Sequence, residues 1–140
     1  GQLFGETYAL MPEMPMGISA VAVENCKILS LNARRVLTMC SSNCEYHSRL
    51  VRNLLTVTAQ KNFMLVQKLE HMTQRTTRDK LLSYLSTESQ RLKSPSFEIP
   101  FNRQQLADYL SVDRSAMSNE LCKLRDEGLL NFAKNKFQLL

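Results

Sequence analysis

The segment from Arg103 to Leu140 limits what this chain can fold into more than any other part of it. Leu106, Ala107 and Leu110 share one face of a first helix. Met117, Leu121 and Leu124, spaced by four and three, share one face of a second. Ser111 to Asp113 supply a tight turn, and the small Ala107 lets the two helices approach closely. Gly128 ends the second helix as a glycine beyond a helix cap does. Two short strands then run from Leu129 to Ala133 and from Lys136 to Leu140, around Lys134-Asn135. This pattern predicts a winged helix-turn-helix, a unit whose second helix lies in the DNA major groove.

The tract before it is helical. Asn32 is placed to cap a short helix from Ala33 to about Cys40, and Ser41-Ser42-Asn43 breaks the chain and caps again. From Cys44 to Met72 there is neither Gly nor Pro, a length of roughly 40 Å if helical. Val51, Leu55, Thr58, Asn62, Leu65, Leu69 and Met72 alternate by four and three, which makes a heptad seam. Leu50, Leu54, Val57 and Met64 form a second apolar stripe beside it. Two stripes predict two partners: an identical helix, and a β-domain against the side. A helix buried in one monomeric core is the alternative. Polar Thr58 and Asn62 in the seam favour a homodimer, because a polar seam residue fixes register. After a junction at Thr73 to Thr77, Arg78 to Arg91 is a further helix with Leu81, Leu82 and Leu85 inward, ended by Ser94 and Pro95. Phe97 to Pro100 is a short strand.

The first 31 residues carry short apolar runs, Ile18 to Val23 and Lys27 to Leu31, broken by Gly5, Pro12, Pro15 and Gly17. Strands joined by turns are expected there. Some 30 residues are too few for an independent β-core, so a preceding part of the protein is expected.

Charge agrees with a nucleic-acid partner. Eighteen Lys and Arg stand against 13 Asp and Glu, a net charge of +5. No apolar run is long enough for a membrane span, and no signal segment opens the chain. Cys26, Cys40, Cys44 and Cys122 have neither disulfide-framework nor zinc-finger spacing, which points to a reducing cytoplasm.

These features together resemble the C-terminal two-thirds of a Crp–Fnr family transcription regulator. Gln105-Leu106-Ala107 through Leu110, with Val112, Arg114, Ser118, Leu121, Leu124 and Gly128-Leu129, resemble that family's DNA-binding signature. Leu3-Phe4-Gly5-Glu6 resembles its phosphate-cassette Gly-Glu. The resemblance implies an α+β architecture. Residues 1–31 would be the incomplete end of an effector-binding β-roll, 32–72 a short helix and a long dimerisation helix, and 73–140 the winged DNA-binding domain.

It also implies an effector site at Gly5, Glu6 and Ser19, whose ligand is unknown. Cyclic-nucleotide binders of the family place an Arg-Ser pair after the Gly-Glu, the Arg neutralising the cyclic phosphate and the Glu taking the ribose hydroxyl. Here Ser19 aligns with the Ser, but Ile18 or Met16 stands where the Arg belongs, and no Arg or Lys occurs between Gly1 and Cys26. A buried phosphate would lack its main charge partner, so a cyclic nucleotide is not expected. Cys40, Cys44 and His47 are spaced closely enough to be weighed as metal ligands. The break at Ser41 to Asn43 argues against that, and no metal is expected. His71 reads as a polar residue at a hinge. No nucleotide loop, catalytic triad or paired-carboxylate motif suggests an enzyme.

The partners that follow are double-stranded DNA with a palindromic site, a second copy of the chain, RNA polymerase and an unidentified small effector, with no membrane. Arg103 and Gln104 are expected to hold a phosphate at the start of the first helix. Arg114, Ser115, Ser118 and Asn119 are expected to face bases, Arg114 reading guanine and Asn119 adenine. Lys123, Lys134 and Lys136 are further phosphate candidates. The competing reading is a dimeric effector-binding or scaffold protein with a degenerate winged helix. Asp113, Glu120, Asp126 and Glu127 favour it by diluting the positive charge of the second helix.

Overall fold

The computed structural model describes residues 3–11, 13–38 and 44–140. Contacts divide the chain into two compact units, Gly1–Asn62 and Phe63–Leu140. The long helix α3 (Glu45–Met72) runs through the division.

In the first unit, α1 (Glu6–Leu10) and α2 (Ala33–Leu37) are single short helices. Asn32 caps α2 by accepting from the Arg35 N–H at 3.1 Å, but the helix stops at Leu37 rather than near Cys40. The break expected at Ser41 to Asn43 lies outside the described residues. The strands expected at 18–23 and 27–31 do not form, and Glu6–Leu10 is helical instead. A strand exists only through a hydrogen-bonded neighbour, and no described segment pairs with these runs. Their apolar side chains are exposed, Val23 almost completely. A β-roll is therefore not visible among the described residues; the sheet of this fold is the small antiparallel one in the second unit.

That unit carries the core. α4 (Thr77–Leu92) is capped by the Thr76 hydroxyl, which accepts from the Asp79 N–H at 3.0 Å. It buries Leu81, Tyr84 and Leu85. α5 (Arg103–Leu110) buries Leu106, Ala107 and Leu110, and α6 (Arg114–Asp126) buries Met117, Leu121 and Leu124. These are the six residues that the helical spacing picks out. β1 (Ser96–Glu98), β2 (Leu130–Ala133) and β3 (Lys136–Leu139) form a sheet of order β1-β3-β2. Its register places Phe97 opposite Phe137 and Phe132 opposite Phe137, so three rings lie in a row across the strands. Cross-strand aromatic pairs of this kind stabilise a small sheet.

The end of α3 is fastened to this core. His71 is 2% exposed, shares a 2.8 Å hydrogen bond between Nδ1 and Ser83 Oγ, and meets the Tyr84 ring edge-on. Lys68 lies over the Tyr109 ring. The sequence placed His71 at a hinge; it is instead a buried link between α3 and α4. Burial pushes its pKa below the ordinary value, against the opposing pull of Glu70 and Glu88. Its folded pKa thus lies below its unfolded one. The linkage stabilises the fold fully above the unfolded pKa of about 6.5, and the gain is lost as pH falls through the folded value. Urea unfolding followed against pH should show an acid-side loss that His71→Gln flattens. An unchanged acid limb in that variant would remove His71 as its cause.

Candidate nucleic-acid interface

The helix-turn-helix is built by its caps. Asn102 accepts from the Gln105 N–H and the Gln105 side chain accepts from the Asn102 N–H, both at 2.9 Å, a reciprocal capping box. The chain leaves α5 through Ser111 in the left-handed conformation, at φ 52°. Asp113 then starts α6 by accepting from the Ser115 and Ala116 N–H groups at 2.8 and 2.9 Å. Those bonds hold its carboxyl below the usual carboxylate range, the Ser115 hydroxyl contributing most. At the far end, Gly128 sits at φ 74°, and the Gly128 and Leu129 N–H groups return to Arg125 and Leu124 carbonyls. This double closure requires a left-handed residue, which glycine adopts without strain. Arg78 of α4 reaches Glu127 with both terminal nitrogens and Glu120 at 3.4 Å, which locks α6 against α4.

With the core face of α6 fixed by Met117, Leu121 and Leu124, successive residues turn by about 100°. Ser115, Asn119 and Cys122 then centre on the opposite, exposed face, with Ser118 at its flank; Arg114 points nearer the core side in direction and is exposed because it is the first residue of the helix. Of the four predicted base readers, Ser115 and Asn119 thus occupy the outer side of the helix, Ser118 its flank, and Arg114 its exposed N-terminal end. Ser118 is half-buried and its hydroxyl donates back to the Arg114 carbonyl at 2.9 Å. Cys122 was not singled out as an interface residue, although the same 100° step places it there.

The predicted phosphate contacts divide. Lys134 and Lys136 are exposed at the wing, Lys134 in the left-handed conformation at φ 55°. Lys123 is exposed but paired with Glu120 at 3.2 Å, and the Gln104 amide donates to Asp108 at 2.8 Å. Arg103 is half-buried, its guanidinium carbon 4.8 Å from the Phe132 ring centre and 5.2 Å from that of Phe137. Burial lowers its pKa, yet a guanidinium remains charged.

The predicted effector residues are not gathered into one site. Gly5 has φ 77°, Ser19 is exposed, and no hydrogen bond joins Ser19 to Glu6. Glu6 is instead held by Lys61 of α3 at 2.6 Å, and Lys61 also donates to the Leu3 carbonyl. That hydrogen bond is the main cause that lowers the Glu6 pKa. The second Glu6 oxygen is buried without a partner among the described residues. Sequence reading missed Lys61 because the pair spans 55 positions. In the seam, Leu55, Leu65 and Leu69 are 64%, 62% and 59% exposed. Asn62 is also exposed, while Val51, Thr58 and Met72 are half-buried. Thr58 donates to the Leu54 carbonyl at 2.9 Å within its own helix. Of the weighed metal ligands, Cys40 lies outside the described residues, and His47 donates from Nε2 to the Val36 carbonyl. No group of three possible metal ligands occurs among the described residues. Among the described residues no helix is long and apolar enough to cross a membrane.

Comparison with known proteins agrees with this geometry. A family model described as a Crp-like helix-turn-helix domain matches residues 79–140. Among solved structures, FixK2 from Bradyrhizobium japonicum is similar with a TM-score of 0.57 at 21% identity. The similarity covers 66% of this chain and 48% of that one, so the chain spans about half the length of FixK2. At that identity the likeness speaks for the fold. No curated protein matches. The likeness is thus carried by the same stretch whose helical spacing, caps and wing are described above, residues 79–140, which are similar to the Crp-like helix-turn-helix domain.

Proposed function

We propose that the chain is part of a sequence-specific transcription regulator that binds palindromic double-stranded DNA as a homodimer in the cytoplasm. One observation supports this over a scaffold role. The acids that dilute α6 are engaged within the fold: Asp113 caps the helix, Glu120 and Glu127 bind Arg78, and Asp126 pairs with Arg125 at 3.0 Å. The outer face is left to Ser115, Asn119 and Cys122, with Arg114 exposed at the N-terminal end of the helix and no carboxylate bonded to it among the described residues. A protein-contact surface needs no such combination, whereas small polar side chains and an arginine suit base edges.

In this reading α3 pairs with its copy along Val51, Leu55, Thr58, Asn62, Leu65, Leu69 and Met72. The recognition helices then meet major-groove turns about 34 Å apart. Arg103, Gln104, Lys123, Lys134 and Lys136 serve the backbone, and RNA polymerase is the downstream partner. Residues 1–31, 32–72 and 73–140 serve effector binding, dimerisation and DNA reading, in that order. The effector is a small molecule other than a cyclic nucleotide, because the one cation near Glu6 among the described residues, Lys61, is already bonded to it. Calorimetry with cyclic AMP and cyclic GMP should give no stoichiometric heat. Tight binding of either would show that Lys61 turns from Glu6 to the phosphate.

Selection on random duplexes tests the main claim and should yield a palindrome. Arg114→Ala should then weaken binding at that site by roughly 1–3 kcal/mol and relax preference at one position of each half-site. Equal losses on cognate and random DNA would take Arg114 out of base reading. No enrichment of any sequence would favour the scaffold.

A further inference from the structure

We propose that Phe132 is a positioning residue for Arg103, holding its guanidinium stacked at the start of α5 so that its N–H groups meet a DNA backbone phosphate. This rests on the DNA-binding reading and adds to it a wing residue that touches no DNA itself.

The guanidinium carbon lies over the two rings, and the five N–H donors of the group lie at its edge. None of them bonds to a described residue. Arg78, Arg91 and Arg125 of the same domain each engage a carboxylate. Arg103 is therefore a half-buried cation with aromatic neighbours and no anion. The ring faces compensate part of its lost hydration, and an incoming phosphate would complete it. The Gln105 N–H is taken by the Asn102 cap, but the Arg103 and Gln104 N–H groups of the first turn have no partner inside the helix and favour an anion at the same place.

The ring is itself held firmly. Phe132 lies opposite Phe137 in the β2–β3 ladder, with ring centres 6.2 Å apart, and Phe137 stacks on Phe97 at 6.3 Å. The sheet register thus fixes where the Arg103 side chain rests. A flexible arginine ordered on folding has less freedom to lose on binding. The neighbouring Gln104, tied to Asp108, does not compete for the position.

The test combines DNA affinity with a spectroscopic readout on the 140-residue chain. Phe132→Leu should weaken binding to a random-sequence duplex on the order of fivefold. The dependence of affinity on salt should keep its slope, because the number of neutralised phosphates is unchanged. Arg103→Ala should reduce that slope by about one, and adding Phe132→Leu to it should cause no further loss. Phe132→Tyr keeps the ring and should bind like the parent. Without DNA, the Arg103 δ-methylene protons should resonate upfield in the parent, under the ring currents, and move back in Phe132→Leu. Parent-like binding by Phe132→Leu, losses that multiply in the double variant, or an unshifted methylene would each overturn the proposal. If the methylene is shifted but the parent binds no duplex at any salt, the stacking stands. The DNA reading then fails, and the positioning role fails with it.

Discussion

Leu65→Asp is expected to turn the proposed homodimer into monomers at micromolar concentration. In the single chain Leu65 is 62% exposed, in line with Leu55 and Leu69 on the seam of α3. Exposed leucines repeating at heptad spacing along a 28-residue helix suit a partner of the same pattern, and in the proposed homodimer a second copy would supply it. In a symmetric pair the same surface meets itself, so one substitution brings two aspartates into the interface. Neither has a seam cation to pair with, since the other seam positions are Val51, Leu55, Thr58, Asn62, Leu69 and Met72. Burying unpaired charge costs several kcal/mol, which corresponds to a dissociation constant raised on the order of a hundredfold or more. Sedimentation at several concentrations reads this directly. A parent chain that is already monomeric at micromolar concentration would end the dimer proposal, and with it the expected half-site spacing.

What the sequence made legible follows from the range of the interactions involved. The six core positions of α5 and α6 were readable because helical spacing is local and both helices bury a single face. The Gly128 closure and the Asn32 cap were readable for the same reason, each being fixed within a few residues. The strands expected at 18–23 and 27–31 were not secure, because a strand is defined by a neighbour that the pattern itself does not name. Arg103 is the clearest case at the interface. Its place at the first turn of α5 was evident, but its stacking on Phe132 and Phe137 depends on a sheet register formed some 30 residues later. His71 and Ser83, and Glu6 and Lys61, are likewise pairs that only tertiary structure brings together.

The recognition helix also permits fold and function to be separated by neighbouring substitutions. Leu121→Ala should lower the unfolding free energy by roughly 2–5 kcal/mol, through lost burial and the cavity left behind. Leu121 is fully buried among the side chains of the helix-turn-helix core, next in line to Met117 and Leu124. For a domain whose total stability is on the order of 5–15 kcal/mol, that is a large fraction. DNA binding should fall with it, at every sequence alike, because a loosened α6 cannot present any of its outer residues. Arg114→Ala, seven positions earlier and exposed, should leave the urea midpoint nearly unchanged, within about 0.5 kcal/mol. Its loss should appear at the cognate site. The two variants therefore move along different axes, one in unfolding and one in sequence preference. Urea unfolding and duplex binding measured on both would resolve them. A Leu121→Ala chain as stable as its parent would show that α6 is not packed by this face. The assignment of its opposite face to DNA would then lose its geometric basis.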